Sequence, residues 1–212
     1  VHEKYARQID NSMTGAQTFE VMANMLSELR DGHVNLYTPY DVGRYWAWHE
    51  DHPSNVSDTL LRRYLGTDYR IASGMKYRIL DDNTGYIRVA SFANGIGAGN
   101  LDEIMLYLSS CQGLIIDVRD NPGGNSGNGD HVARHFIAQS LRAGAWESRE
   151  YIPAFASWRM AERVYRQEGA LMTLDANSKL ERYTKPVALL VNRGTFSAAE
   201  DFTPLMLSLI HN

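Results

Sequence analysis

Ser197 lies in the stretch Val191 to Phe202, VNRGTFSAAEDF, where an apolar run stops and a helix-forming run begins. The run before it, Val187-Ala188-Leu189-Leu190-Val191, has no polar alternation and reads as a central parallel strand covered on both faces. Asn192 and Gly194 break it, and Phe202, Leu205, Met206 and Leu209 then recur at helical spacing. A serine at such a junction meets the unpaired N–H groups and the positive dipole end of the helix. That position suits two jobs. The hydroxyl can cap the helix, as serine commonly does, or it can be a nucleophile whose product oxyanion those N–H groups hold.

A second candidate is the glycine loop in GLIIDVRDNPGGNSGNGD. Pro122 fixes one backbone angle, while Gly123 and Gly124 reach conformations that other residues avoid, so successive N–H groups can converge on a negative charge. The loop is either a structural turn or one half of an oxyanion hole, the other half being the N–H of Ala198. A nucleotide loop is excluded, since neither Lys-Ser nor Lys-Thr follows and the Gly-x-Gly-x-x-Gly spacing is absent. The third candidate, His33 in LRDGHV, follows a helix stop. It is either a surface hydrogen-bonding group or, with polar Asp31 and close-packing Gly32 beside it, an imidazole aimed into a cleft. His49, His131 and His135 show no partner pattern and read as surface or packing residues; no metal site and no cofactor is expected.

These residues need elements to hold them. Phe19, Met22, Leu26 and Leu29 share a helical face, with Thr18 as the expected cap and Gly32 as the expected left-handed stop. VNLYTP reads as a short strand, and Tyr40 to Gly74 as a connector of short helix and loops. From Tyr69 the pattern changes to strands in DYRIAS, MKYRIL and YIRVASF, then a helix marked by Leu101, Ile104, Met105 and Leu108. A strand at Leu114, a helix-like stretch from Asp130 and the strand at Val187 complete the order. Strand–helix–strand succession predicts an α/β core with parallel pairing over residues 69–212, preceded by an N-terminal helical region and connector over residues 1–68. The stretch WESREYIPAFASWRMAERVYRQEG either lines a peptide groove or forms a helix packed on the core.

With 212 residues, 44% of them hydrophobic, the chain can bury a real core. A formal net charge of −4 without a lysine or arginine cluster excludes an electrostatic footprint for nucleic acid. The single cysteine, Cys111, leaves no internal disulfide and no cysteine zinc site. No run is long and apolar enough for a membrane span, and the start VHEKYARQIDN lacks a signal-peptide core. The absence of an initiating methionine and the ending LIHN read as a piece of a longer protein, with the core incomplete at its C-terminus.

In order, ELRDGHV, LIIDVRDNPGG and LLVNRGTFSAAE resemble the signatures of the C-terminal processing (tail-specific) and tricorn-core serine peptidases, over Leu26 to about Phe202. The resemblance implies a crotonase-like fold of stacked β-β-α units with an N-terminal helical subdomain. It also implies a nucleophile at Ser197, oxyanion donors at Gly123 or Gly124 and at Ala198, a peptide or protein substrate, and a periplasmic, cell-envelope or secreted location. Processing members use a lysine downstream of the serine, and tricorn-like members a histidine upstream. Lys185 is the last lysine of the chain and His33 holds the upstream position, which favours a Ser-His pair; a lysine beyond residue 212 is the other option. Glu200 is a possible orienting acid, although the tricorn-type acid falls later, beyond Asn212. No PDZ domain is expected, because the interval from Thr38 to Tyr69 is too short for one. Two other readings stand beside this one. The chain could be an inactive relative that binds peptides or apolar ligands in the same cleft, or a coenzyme A enzyme of the crotonase type, which gives no reason for Thr-x-Ser-Ala-x-Glu.

Overall fold

The computed structural model describes residues 1–50, 52–151, 164–176, 179 and 181–210. Its contacts divide the chain into two compact units, Val1–Ser54 and Asn55–Asn212.

The first unit holds α1 (His2–Ala6), α2 (Gly15–Ser27), the antiparallel pair β1 (Asn35–Tyr37) and β2 (Val42–Arg44), and α3 (Ala47–Glu50). Thr14, not Thr18, caps α2. Its Oγ1 accepts from Gln17 N–H, while the Gln17 side chain accepts from the Thr14 N–H. Only Thr14 has a glutamine three residues on to close this reciprocal box. The left-handed residue after the helix is Arg30, at φ +52, rather than Gly32. Gly32 serves packing instead: a Cβ there would lie 2.4 Å from the Trp48 indole, so no side chain fits.

The second unit is built on a mixed sheet of order β3-β4-β5-β6-β9: Arg70–Ala72, Met75–Ile79, Thr84–Arg88, Gly113–Asp117 and Val187–Leu190. β3, β4 and β5 run antiparallel because tight turns join them, with Ser73, Gly74 and Asn83 in left-handed conformations. β5–β6 and β6–β9 run parallel. α5 (Ala98–Leu108) makes the first crossover and buries Leu101, Ile104, Met105 and Leu108, the residues whose spacing marked it. These pack with Met75, Tyr77, Ile87, Leu114 and Ile116 into the main core, where truncating one aliphatic side chain to alanine costs about 2–5 kcal/mol. The contact boundary at Ser54/Asn55 precedes the change of pattern at Tyr69. α4 (Asp58–Leu65) and the chain after it are tied to the sheet by Arg78, which donates to Leu65 O and Asp68 Oδ1.

Three further expectations are corrected. α6 spans Ser126–Ala133 and so begins before Asp130, because Asn125 Oδ1 caps it by accepting from Gly127 N–H at 2.9 Å. β9 is the outer strand of the sheet among the described residues, only half-buried, not a central strand covered on both faces. The described parts of the aromatic stretch are strands rather than helix: β7 (Leu141–Tyr151) and β8 (Val164–Leu174) form an antiparallel hairpin. The residues between them, 152–163, lie outside the described residues. The last helix, α7 (Ala198–Ile210), follows Ser197 as the periodicity predicts and packs on α6, with Phe202 against Gly129 and edge-on to Phe92.

Candidate active site

Ser197 sits between β9 and α7 at φ +56, a left-handed conformation that a non-glycine residue adopts only when its surroundings impose it. The first N–H groups of α7 are satisfied by main-chain carbonyls. Ala199 N–H donates to Phe196 O at 3.1 Å, and Glu200 and Asp201 N–H donate to Ser197 O at 2.8 and 3.0 Å. Among the described residues no N–H donates to Ser197 Oγ, so the hydroxyl is not the helix cap. It stands half-buried at the positive end of the helix with its oxygen uncommitted.

The glycine loop meets this turn directly. A Cβ on Gly123 would lie 2.7 Å from Ser197 Cβ and 2.8 Å from Ala198 N; one on Gly124 would lie 2.3 Å from Ala93 N. Only glycine fits either place, the more so because their φ angles are +88 and +132. The loop pairs with Phe92, whose N–H donates to Gly123 O and whose carbonyl accepts from Asn125 N–H, both at 2.9 Å. Such pairing turns the peptide groups of Gly124 itself to the opposite side. Gly123 N–H is already given to Asn121 Oδ1 at 2.9 Å. Apart from that of Ser197 itself, the N–H groups next to the serine without a protein acceptor, among the described residues, are therefore those of Gly124 and Ala198.

Amide and hydroxyl side chains lock the two loops together. Asn121 is fully buried; its Nδ2 donates to Val89 O at 2.9 Å and its carbonyl accepts from Phe196 N–H at 2.9 Å. Asn192 Oδ1 accepts from Asp120 and Gly194 N–H at 2.8 and 3.0 Å, and its Nδ2 donates to Asp120 Oδ1 at 2.7 Å. Thr195 Oγ1 donates to Val118 O at 2.8 Å. Beneath the loop, fully buried Asp117 accepts from Arg119 Nη2 at 2.7 Å, Arg88 Nη1 at 3.1 Å and Tyr86 Oη at 2.5 Å. Burial works to raise the Asp117 pKa, but the hydrogen bonds from Arg119 and Tyr86 and the charge of Arg88 outweigh it and hold the carboxyl below its ordinary value. Burial first, then this carboxylate, push the Tyr86 phenol well above its own.

His33 belongs to the first unit, in the turn between α2 and β1. Its N–H donates to Asp31 Oδ1 at 2.7 Å and its Nδ1 lies 3.2 Å from the same oxygen, both side chains being about half exposed. The backbone bond from His33, ahead of the ring contact, holds the Asp31 carboxyl below its usual range. Glu200 is exposed on α7, and among the described residues its carboxylate makes no hydrogen bond. His49 is exposed, whereas His135 is buried with Nε2 3.8 Å from Asp102, and burial pushes its pKa down. Lys185 Nζ donates to Ser109 and Cys111 carbonyls at 2.6 and 2.7 Å, a brace at the end of α5. Burial pushes the Cys111 thiol up, away from reactivity. Among the described residues no His, Cys, Asp and Glu side chains gather as a metal site.

Comparisons with known proteins place this chain among peptidases. The profile of peptidase family S41 matches residues 83–208. A candidate peptidase from Parabacteroides merdae ATCC 43184 is 36% identical over 98% of this chain, with a TM-score of 0.82. The chain belongs to peptidase family S41. It spans 63% of the length of that Parabacteroides protein. The photosystem II D1 C-terminal processing protease also matches, at 24% identity over 59% of this chain and 28% of its own, with a TM-score of 0.40. No match was found among proteins of curated function. Among its described residues this S41 chain has no helix long and apolar enough to cross a membrane.

Several residues that brace Ser197 and the glycine loop have no role that the sequence alone assigns. Asn121 and Asp117 lie inside the quoted DVRDNPGG signature, yet only the glycines drew a role from it. Asn192 appears there as a turn former, and its bridge to Asp120 crosses between the two loops. Asp31 appears there as a polar neighbour; the bond from the His33 main-chain N–H to its carboxylate is a local Asx-type turn that the Asp-x-His spacing permits, and it brings the same oxygen to 3.2 Å from the ring.

Proposed function

We propose that this protein is a serine peptidase that hydrolyses peptide bonds through an acyl-enzyme on Ser197. The observation that carries the reading is the uncapped hydroxyl of Ser197, in a left-handed conformation beside two N–H groups that have no protein acceptor. Ser197 Oγ bonds to the substrate carbonyl carbon as its proton passes to the His33 imidazole, and the carbonyl oxygen becomes an oxyanion. Gly124 and Ala198 N–H groups receive that oxyanion, with Gly123 as the spacer that lets the turn and the loop touch. The C–N bond then breaks as His33 returns the proton to the leaving amine. Water adds to the ester by the same route in reverse, releasing the acid and restoring Ser197. Asp31 orients the imidazole in this scheme, and Glu200, facing solvent, is left without a step. The succession β4-β5-α5 serves as one β-β-α unit of a crotonase-like stack, with residues 1–54 as an N-terminal helical subdomain.

The test compares the full-length protein with Ser197→Ala on a mixture of unstructured peptides, read by mass spectrometry. Cleavage by the parent and none by the variant, at equal melting temperature, is the expected result. Equal cleavage by both removes Ser197 from the reaction.

A further inference from the structure

Next to Ser197, a cavity of about 250 Å³ opens between α6, α7 and the β7–β8 hairpin, and Ala198 forms part of its wall. Clefts that take drug-sized ligands hold roughly 300–1,000 Å³. This one is sized for a single side chain. Its floor is apolar, made by Phe202 and Leu205 of α7 and Met172 of β8. Gly129 lines the α6 side, close against Phe202. On the hairpin side the register of β7 shifts between Arg142 and Gly144 and again between Ala145 and Glu147. The irregular strand presents small residues to the cavity, and a Cβ on Gly144 would meet nothing within 4 Å.

Two carboxylates, Asp130 of α6 and Asp201 of α7, stand in the lining. Neither has an ion pair or a side-chain hydrogen bond among the described residues. Burial raises the Asp130 pKa, Arg134 opposes it, and the Asp201 charge raises it again. Arg134 lies outside the lining, so among the described residues no basic side chain lines the pocket beside the two acids.

Resting on the reading of Ser197 as a peptidase nucleophile, we propose that this cavity receives the substrate residue that supplies the scissile carbonyl and selects lysine or arginine there. The aliphatic stem lies along Phe202, Leu205 and Met172, and the cationic end reaches Asp130 and Asp201. The position of Ala198, both in the cavity wall and as an oxyanion donor, ties the pocket to the residue undergoing attack.

The experiment measures kcat/KM of the full-length protein on peptides that differ only at that residue: Lys, Arg, Leu and Glu. Lys and Arg should exceed Leu by about tenfold and Glu by about a hundredfold, the range that one well-placed charge interaction gives. In Asp130→Asn/Asp201→Asn the Lys-to-Leu ratio should fall about tenfold; taking a ratio cancels any loss of folded enzyme. Ser197-dependent cleavage with Leu equal to or above Lys overturns the proposal and leaves the peptidase reading standing. Absence of Ser197-dependent cleavage from every peptide overturns both.

Discussion

The loop that carries Ser197 is anchored by the fully buried amide of Asn121, whereas the turn that carries His33 is braced by the half-exposed Asp31 carboxylate and by the Asn35 amide, which donates to Gly32 O and His33 O. Asn121, fully buried, bonds to the main chain of Val89, Gly123 and Phe196, where an unmade bond costs about 1–3 kcal/mol, and half-buried Asn192 adds bonds to Asp120 and Gly194. Asp31 makes its bonds in water, where such contacts contribute about 1 kcal/mol or less. The difference matches what the proposed mechanism asks of each residue. An oxyanion hole works only if its donors are fixed before the reaction, to within about 0.5 Å. A general base can tighten its hydrogen bond once substrate is present.

Substitutions at the two ends sharpen this contrast, taken from the largest effect down. His33→Gln should lower kcat by about a thousandfold or more, the size of loss seen when a triad member is removed, with the melting temperature unchanged. A loss under tenfold, measured on the same full-length protein, would make His33 a structural residue and end its part in the comparison. Asp117→Asn leaves Arg88 and Arg119 without their buried partner and should destabilise by about 3–5 kcal/mol in urea unfolding.

The same carboxylate sets a pH limit. Because its folded pKa is held below the ordinary value of about 3.9, its contribution is complete above that value and is lost as pH falls through the folded pKa. Wild type should therefore lose stability below about pH 4 more steeply than Asp117→Asn, and parallel acid curves would contradict the assignment.

Gly124→Ala places a methyl group against the Ala93 backbone in a conformation that disfavours it. Loss of that oxyanion donor should cost about 10²–10³ in kcat, read alongside circular dichroism to check the fold. Unchanged turnover would reduce the loop to a turn. The smallest pair tests the contrast itself. Asn121→Ala should destabilise by about 1–3 kcal/mol, and Asp31→Ala by no more than about 0.5 kcal/mol, as for an exposed site. Equal losses would erase the distinction between the two ends.

Much of the core is legible from periodicity alone. Leu101, Ile104, Met105 and Leu108 mark the buried face of α5, and the apolar run at Leu114 marks β6, because burial on one or both faces writes itself into the spacing. The glycine loop and Ser197 are legible for another reason: Pro-Gly-Gly and a serine after a strand restrict the backbone whatever lies around them. Asn192 and Asp120 are not, since their bond joins loops 72 residues apart and exists only once β6 and β9 are paired. The outer position of β9 is hidden likewise, as Val-Ala-Leu-Leu reads the same in a half-buried strand as in a covered one. The cap of α2 is written in the sequence too: Thr18 stands next to Phe19 on the apolar face, but the Gln17 partner that closes the box belongs to Thr14.

The central claim is that Ser197 is an activated nucleophile and not a cap. Its most direct test is to treat the full-length protein with an active-site-directed fluorophosphonate and map the adduct by peptide mass spectrometry, beside Ser197→Ala. One phosphonylated peptide, modified on Ser197, and no adduct on the variant are expected. A folded protein that stays unmodified at Ser197, or a variant labelled as strongly as the parent, would contradict it.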